Sequence, residues 1–200
     1  MEAGIEACRR GLERSPDPLN TAAALGFLGF AYLMKGDLAQ AIPLIEQSVE
    51  QFGRFRIRHY QGLFTSVLGE AALQSGQIDK ARELAIQGLE LAREVKFWYG
   101  VGWAQRALGR IAQASGARAE ARAHLEEALR TFAAIEGRSE LGRTHLAMAE
   151  LAHAEGHREA VATHLGAARR LFSALRIPQY VERTEQLAKE YGVPLPASAR

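Results

Sequence analysis

Four glycines, Gly36, Gly76, Gly116 and Gly156, stand 40 residues apart, and the residues around them repeat in phase. Eight positions before each glycine is Leu28, Leu68, Leu108 or Met148, followed at once by a small residue, Gly29, Gly69, Gly109 or Ala149. Five positions after it come Ala41, Ala81, Ala121 and Val161; twelve after it, Ser48, Gly88, Ala128 and Ala168; sixteen after it, Phe52, Ala92, Phe132 and Phe172. A period of this length marks one supersecondary unit laid down four times, each copy too small to bury its own apolar faces and so obliged to stack on the next. The units are helical: Ala and Leu supply 60 of 200 residues, whereas Val, Ile and Thr together supply 22, too few for a sheet protein.

Each marker glycine sits between two amphipathic runs of helical spacing, where a left-handed C-cap between antiparallel helices is wanted. The small residues at 29/69/109/149 and 48/88/128/168 lie on the two faces that meet, and let the helix axes approach closely. Asp37 is placed to cap the second helix of the first copy, and Pro43, beyond that helix's first turn, predicts a kink. Residues 3–14 align with the second helix of a unit and end before Pro16 and Pro18; Pro178 opens a last amphipathic stretch aligned with first helices, and residues 192–200 are expected to fray. The expected fold is all-α: ten helices, four helix-turn-helix repeats at 19–56, 57–96, 97–136 and 137–176. A partial repeat or capping helix occupies 1–18, and a capping helix 177–191.

A formal charge of +2 argues against electrostatic capture of nucleic acid by the domain as a whole. One cysteine, Cys8, precludes an internal disulfide and a cysteine zinc site, and its register puts it on an inner helix face. No apolar run is long enough to span a bilayer and the N-terminus lacks the apolar core of a signal peptide, so the expected location is the cytoplasm. The acidic residues follow helix-surface spacing, no phosphate-binding GxxxxGK[ST] occurs, and Gly100-Val101-Gly102 lacks the preceding strand and third glycine of a dinucleotide turn. His124 and His164 occupy one register in successive copies, too far apart for one zinc ion; His145 with His153, and His153 with His157 across Gly156, are equally poor chelates. The chain therefore reads as a non-enzyme with no catalytic residue, metal site or cofactor. The basic loop Arg54, Arg56, Arg58 offers a nucleic-acid contact, although loop arginines with inward-packed Phe55, Ile57 and Tyr60 explain it better. Aromatics recur in the next such loop, Phe97-Trp98-Tyr99, which favours packing between units.

Gly29 with Tyr32, then Gly36-Asp37, Ala41 and Ser48, resembles the tetratricopeptide repeat, although the period is longer than is usual in that family and Ala72, Ala112 and Ala152 stand where it favours an aromatic. The stretches GFAYLMKGDLAQAIPLIEQSVEQF and KFWYGVGWAQRALGRIAQASG resemble the C-terminal repeats of bacterial cyclase–ATPase (signal-transduction ATPase) regulators. The resemblance implies a right-handed α-α superhelix with a concave groove lined by the first helix of each unit. Within those helices, positions that differ between copies and face away from the second helix are the candidate groove: Phe30, Leu33 and Met34; Glu70 and Gln74; Trp103, Arg106 and Arg110; Arg143, Glu150 and His153. The lining runs from apolar to an aromatic beside three guanidiniums. Arg106 and Arg110 are i, i+4 neighbours that repel one another unless an anion compensates. This predicts a protein or peptide partner with an apolar anchor near the first unit and an acidic group or C-terminal carboxylate near the third and fourth, unless Glu70 and Glu150 neutralise the arginines. The expected function is a protein-interaction scaffold, the regulatory part of a larger signalling ATPase; a small-ligand sensor is the alternative.

Overall fold

The computed structural model describes residues 2–14 and 17–195. Ten helices and no strand are found among them: α1 Glu2–Arg14, α2 Pro18–Lys35, α3 Leu38–Arg54, α4 Arg58–Gln74, α5 Ile78–Glu94, α6 Trp98–Ala114, α7 Arg118–Ala134, α8 Arg138–Ala154, α9 Arg158–Ala174 and α10 Pro178–Glu190. The expected break at Pro16 and the tail beyond residue 195 lie outside the described residues, but the start of the stretch expected to fray is packed, with Val193 buried in the core.

The sequence period becomes a period in space. Each marker glycine is the left-handed residue closing the first helix of a unit, with φ of 79°, 76°, 80° and 77° at Gly36, Gly76, Gly116 and Gly156. The Asp37 carboxylate accepts from the Gln40 backbone N–H at 3.2 Å, as a capping residue should. Helix α3 runs through Pro43 without interruption.

Close approach within each pair rests on missing side chains. A Cβ on Gly29 would stand 2.6 Å from Ile45 Cγ1 and 3.0 Å from the Ala41 carbonyl oxygen. Between α4 and α5 the approach is backbone to backbone: a Cβ on Gly88 would meet the Gly62 carbonyl oxygen at 2.7 Å. Into the space between units go Phe52, Phe132 and Phe172, all fully buried, with Phe64 stacked parallel to Phe52 at 5.9 Å.

The stack curls. Helices α2, α4, α6 and α8 touch one another in succession, whereas α3, α5, α7 and α9 make no comparable contacts among themselves. The even-numbered helices therefore lie on the inside of the curl, the odd-numbered ones on the outside. The curl is tight. Every residue from Gly62 to Ala72 of α4 and from Gly100 to Gly109 of α6 is buried. A helix lining an open groove keeps an exposed stripe; one apolar and buried all round is enclosed.

Candidate functional site at the inner face

What closes the inner face is a set of long side chains from four units. Trp103 of α6 meets Phe30 of α2 edge-on, ring centroids 5.3 Å apart. Arg143 of α8 lies over both rings, 5.1 Å from each centroid, and 5.7 Å from the Tyr180 ring of α10. Its Nη2 also donates to Sδ of Met34 at 3.1 Å. Arg106 stacks on Trp103 at 4.3 Å. Cations over aromatic faces hold best where water is excluded, and Trp103 and Arg106 are each only 3% exposed.

Buried guanidiniums need countercharge. Arg106 Nη1 donates to Glu140 Oε2 at 2.6 Å, and Arg143 Nη1 to Glu140 Oε1 at 3.4 Å. Glu70 stands 4.0 Å from Arg106 Nε and 3.7 Å from Arg110 Nη1. Burial alone would raise the Glu140 pKa, but Arg106 and Arg143 beside it hold the carboxyl below the ordinary carboxylate range. Burial likewise works against the charge on Arg143, and Glu140 more than compensates, so its pKa is raised. Glu70 Oε1 and Arg106 Nη2 lack hydrogen-bond partners among the described residues, so the cluster of three arginines and two glutamates keeps one excess positive charge and is not fully satisfied.

The expected open groove is therefore corrected in part. Leu33, Glu70, Trp103 and Arg106 are interior residues, and the anion that Arg106 and Arg110 require comes from within the chain. Glu70 supplies part of it, as expected. Glu140 supplies the rest in place of Glu150, which lies near the Tyr191 hydroxyl. His153 also turns away from the arginines, stacked on the Tyr191 ring at 3.8 Å. Gln74 is exposed, while Phe30, Met34, Arg110, Arg143 and Glu150 remain half-buried. Sequence reasoning missed Glu140. Its register carries Asn20, Tyr60, Gly100 and Tyr180 in the other units, so a comparison of copies would have singled it out as the one charged member.

The same curl brings the ends of the stack together. A cavity of about 440 Å³ lies between α1, α2 and α10, lined by Gly4, Phe30, Ala31, Met34, Gln179, Tyr180 and Arg183. Arg183 is half-exposed and only loosely engaged, 3.8 Å from Glu190. Apolar rings and a thioether thus sit beside an available guanidinium.

Outside this face, Arg54 is paired with Glu50 at 2.6 Å and Arg58 with Glu94 at 3.3 Å, which neutralises two of the three arginines of the basic loop. Cys8 is half-buried against the core, and burial raises its thiol pKa. No group of three or more metal-ligating side chains occurs among the described residues, but two histidines not paired by sequence reasoning meet: His145 Nδ1 and His164 Nδ1 are 3.0 Å apart. Of the aromatics at 97–99, Phe97 packs between units, against His59, whereas Tyr99 meets Phe132 of its own unit and stays 36% exposed, and Trp98 is 54% exposed. No helix is long and apolar enough to cross a membrane among the described residues.

Comparison with known proteins identifies the repeat. Family profiles described as tetratricopeptide repeat match residues 63–134 and 22–47. No curated protein matches the chain in sequence. Similar solved structures include a Rap protein complexed with competence and sporulation factor, with TM-score 0.79 and 13% identity over 94% of this chain and 53% of that one. Aspartyl phosphate phosphatase F from Bacillus subtilis gives 0.71 and 12%, over 94% and 49%. BtubC (BKLC) from P. vanneervenii gives 0.62 and 16%, over 100% and 93%. The chain thus spans about half the length of the first two. At these identities the likeness is one of fold, a tetratricopeptide-like solenoid. The resemblance to cyclase–ATPase regulators finds no support among these relatives.

Proposed function

We propose that this stack of tetratricopeptide repeats is a non-enzymatic protein-interaction scaffold that seats a partner segment where α2 and α10 meet on the inner face. The observation that carries it is the cavity between Phe30, Met34, Tyr180 and Arg183. A large apolar side chain of the partner fills the space between the rings and the thioether, and an acidic group or C-terminal carboxylate pairs with Arg183, displacing the weak contact to Glu190. Arg143, committed to Glu140, orients Phe30 and Tyr180 rather than binding the anion itself. The likeness in fold to a Rap protein complexed with competence and sporulation factor supports a binding role for such a solenoid. On sequence resemblance alone, the setting of the scaffold is the regulatory part of a larger cytoplasmic signalling ATPase.

Calorimetric titration with short peptides ending in a hydrophobic residue and a free carboxylate tests the seat. Binding that weakens by roughly tenfold in Arg183→Glu and again in Phe30→Ala is expected. Affinity unchanged by both substitutions contradicts it.

One observation favours the second reading, a small-ligand sensor: about 440 Å³ is within the range of pockets that enclose small molecules. A metabolite that raises the melting temperature of the wild type and not of Tyr180→Ala would favour this reading over a peptide.

A further inference from the structure

The two edges of the solenoid use one turn and fill it differently. Where the first helix of a unit passes to the second, the left-handed residue is Gly36, Gly76, Gly116 or Gly156. Where one unit passes to the next, the same conformation is held by Arg56, Lys96, Glu136 and Arg176, with φ from 53° to 56°. The hydrogen bonds are the same: Asp37 N–H donates to the Tyr32 carbonyl and Gly36 N–H to that of Leu33, as Ile57 N–H donates to Phe52 and Arg56 N–H to Gly53. A left-handed conformation disfavours any residue with a Cβ. The backbone gives no reason for long side chains at one edge and glycine at the other.

The inter-unit edge is also where apolar surface is left uncovered. Of the exposed large hydrophobic residues among the described residues, Leu19, Phe55, Val95, Trp98, Tyr99 and Ile135 lie there; Phe27 and Ile86 lie on helix faces, and the glycine edge has none. Two hollows open along this edge. One, of about 460 Å³, opens between Trp98 and Ile135; the other, of about 480 Å³, between Phe172, Ile177 and Val181. Charge follows the same division. The inter-unit segments 53–59, 93–99, 133–139 and 173–179 carry +3, +1, 0 and +1, so +5 together, or +4 once Glu50 outside them is set against Arg54. Segments 33–39, 73–79, 113–119 and 153–159 carry 0, −1, +1 and −1, so −1. Arg56, Lys96 and Arg176 make no ion pair among the described residues.

We propose that this edge is a second docking surface, separate from the inner face, for an acidic protein segment that carries large apolar side chains. The apolar side chains enter the hollows beside Trp98 and Val181, and the acidic ones meet Arg56, Lys96 and Arg176, one from each of three inter-unit turns. Glu94, Glu127, Glu136 and Glu182 interrupt the basic row, which suits a protein segment of matching pattern better than a uniformly anionic lipid surface or a nucleic-acid backbone.

A fluorescein-labelled synthetic peptide alternating Glu with Leu and Phe is the probe, measured by anisotropy on the full chain. Its controls are polyglutamate, a neutral Leu/Phe peptide, phosphatidylserine vesicles and oligo(dT). The account expects the acidic–apolar peptide alone to bind, and both Trp98→Ala and the triple charge reversal Arg56→Glu/Lys96→Glu/Arg176→Glu to weaken it by roughly tenfold or more. All four positions are exposed, and an unchanged helical circular dichroism spectrum shows that the variants fold. Absence of binding, equal binding of polyglutamate, vesicles or oligo(dT), or binding lowered only by Phe30→Ala and Arg183→Glu overturns the proposal. That last result would leave the inner-face seat standing.

Discussion

The guanidinium of Arg143, in the fourth unit, lies 5.1 Å from the centre of the Phe30 ring, in the first. No neighbour-to-neighbour stacking produces that contact; it exists because the superhelix closes on itself. Closure makes interior residues of Trp103 and Arg106, and forces the charges of Arg106 to be answered by Glu140 and Glu70.

Arg106 is the keystone of that cluster. Arg106→Met leaves two glutamates buried, Glu70 with Arg110 at 3.7 Å and Glu140 with Arg143 at 3.4 Å, neither of them holding the short contact that Arg106 makes. Breaking a buried ion pair from one side costs about 3–5 kcal/mol, and urea denaturation is expected to show a loss of that size. Arg110→Met is expected to cost less, because Arg110 is itself partly exposed and Arg106 still stands 4.0 Å from the buried Glu70 carboxylate. Equal losses in the two variants would mean that the cluster is not the structural centre described here.

The helix pair α4–α5 depends on glycine in a way that side-chain repacking cannot mend. Gly88→Ala pushes its new methyl group against the Gly62 carbonyl oxygen, which belongs to backbone. Gly109→Ala meets the Leu125 side chain first, at 2.6 Å, and backbone only at 3.1 Å, the Ala121 carbonyl oxygen. Thermal unfolding is expected to show the larger loss for Gly88→Ala, by about 1–3 kcal/mol, the usual penalty of overpacking. A smaller loss than for Gly109→Ala would contradict the backbone contact.

Left-handed arginine and lysine at the inter-unit turns imply stability withheld. Arg56→Gly and Lys96→Gly are each expected to stabilise the fold by about 0.5–1 kcal/mol, since relief of the Cβ clash outweighs the added freedom of the unfolded chain. Denaturation midpoints that fall in both variants would show that these side chains hold the turn itself.

His145 and His164 give the fold an acid-sensitive joint. Burial, with His164 and Arg170 nearby, pushes the His145 pKa from the ordinary 6.5 down to about 4; burial and Arg122 lower that of His164. The unfolded chain therefore binds more protons than the folded one between those values, and stability is lost as pH falls from about 6.5 towards 4. His145→Gln installs what Gln105 supplies in the preceding unit, where it meets His124 at 2.6 Å. Urea titrations across that window are expected to show a shallower loss in the variant; parallel losses would place the acid sensitivity elsewhere.

The repeat and the turns within its units were legible in the sequence because they rest on local rules; the left-handed turns between units, at Arg56, Lys96, Glu136 and Arg176, have no glycine in that position to mark them. A left-handed turn selects glycine at 36, 76, 116 and 156, and close helix pairs select small residues at 29 and 88. The inner face was not legible to the same depth. Which residues differ between copies can be read from the chain, and that comparison found Phe30, Trp103, Arg106 and Arg143. How far the stack curls depends on small rotations accumulated over every unit, and only the curl decides that these four meet rather than line a channel. Glu140 escaped notice because it sits in the first turn of its helix, outside the offsets taken as groove-lining. Leu25, Thr65, Gln105 and His145 share one register and Leu44, Leu84, His124 and His164 another; the histidine contact was thus latent in the repeat and needed only the pairing of the two rows.

The chain has two tryptophans, which makes closure of the inner face directly measurable. With Trp98 changed to Phe, all tryptophan emission comes from Trp103. A closed inner face predicts blue-shifted emission that acrylamide scarcely quenches, and the reciprocal Trp103→Phe protein, reporting from exposed Trp98, gives red-shifted and readily quenched emission. Emission from Trp103 as red and as quenchable as that from Trp98 would mean an open groove, and would contradict the account.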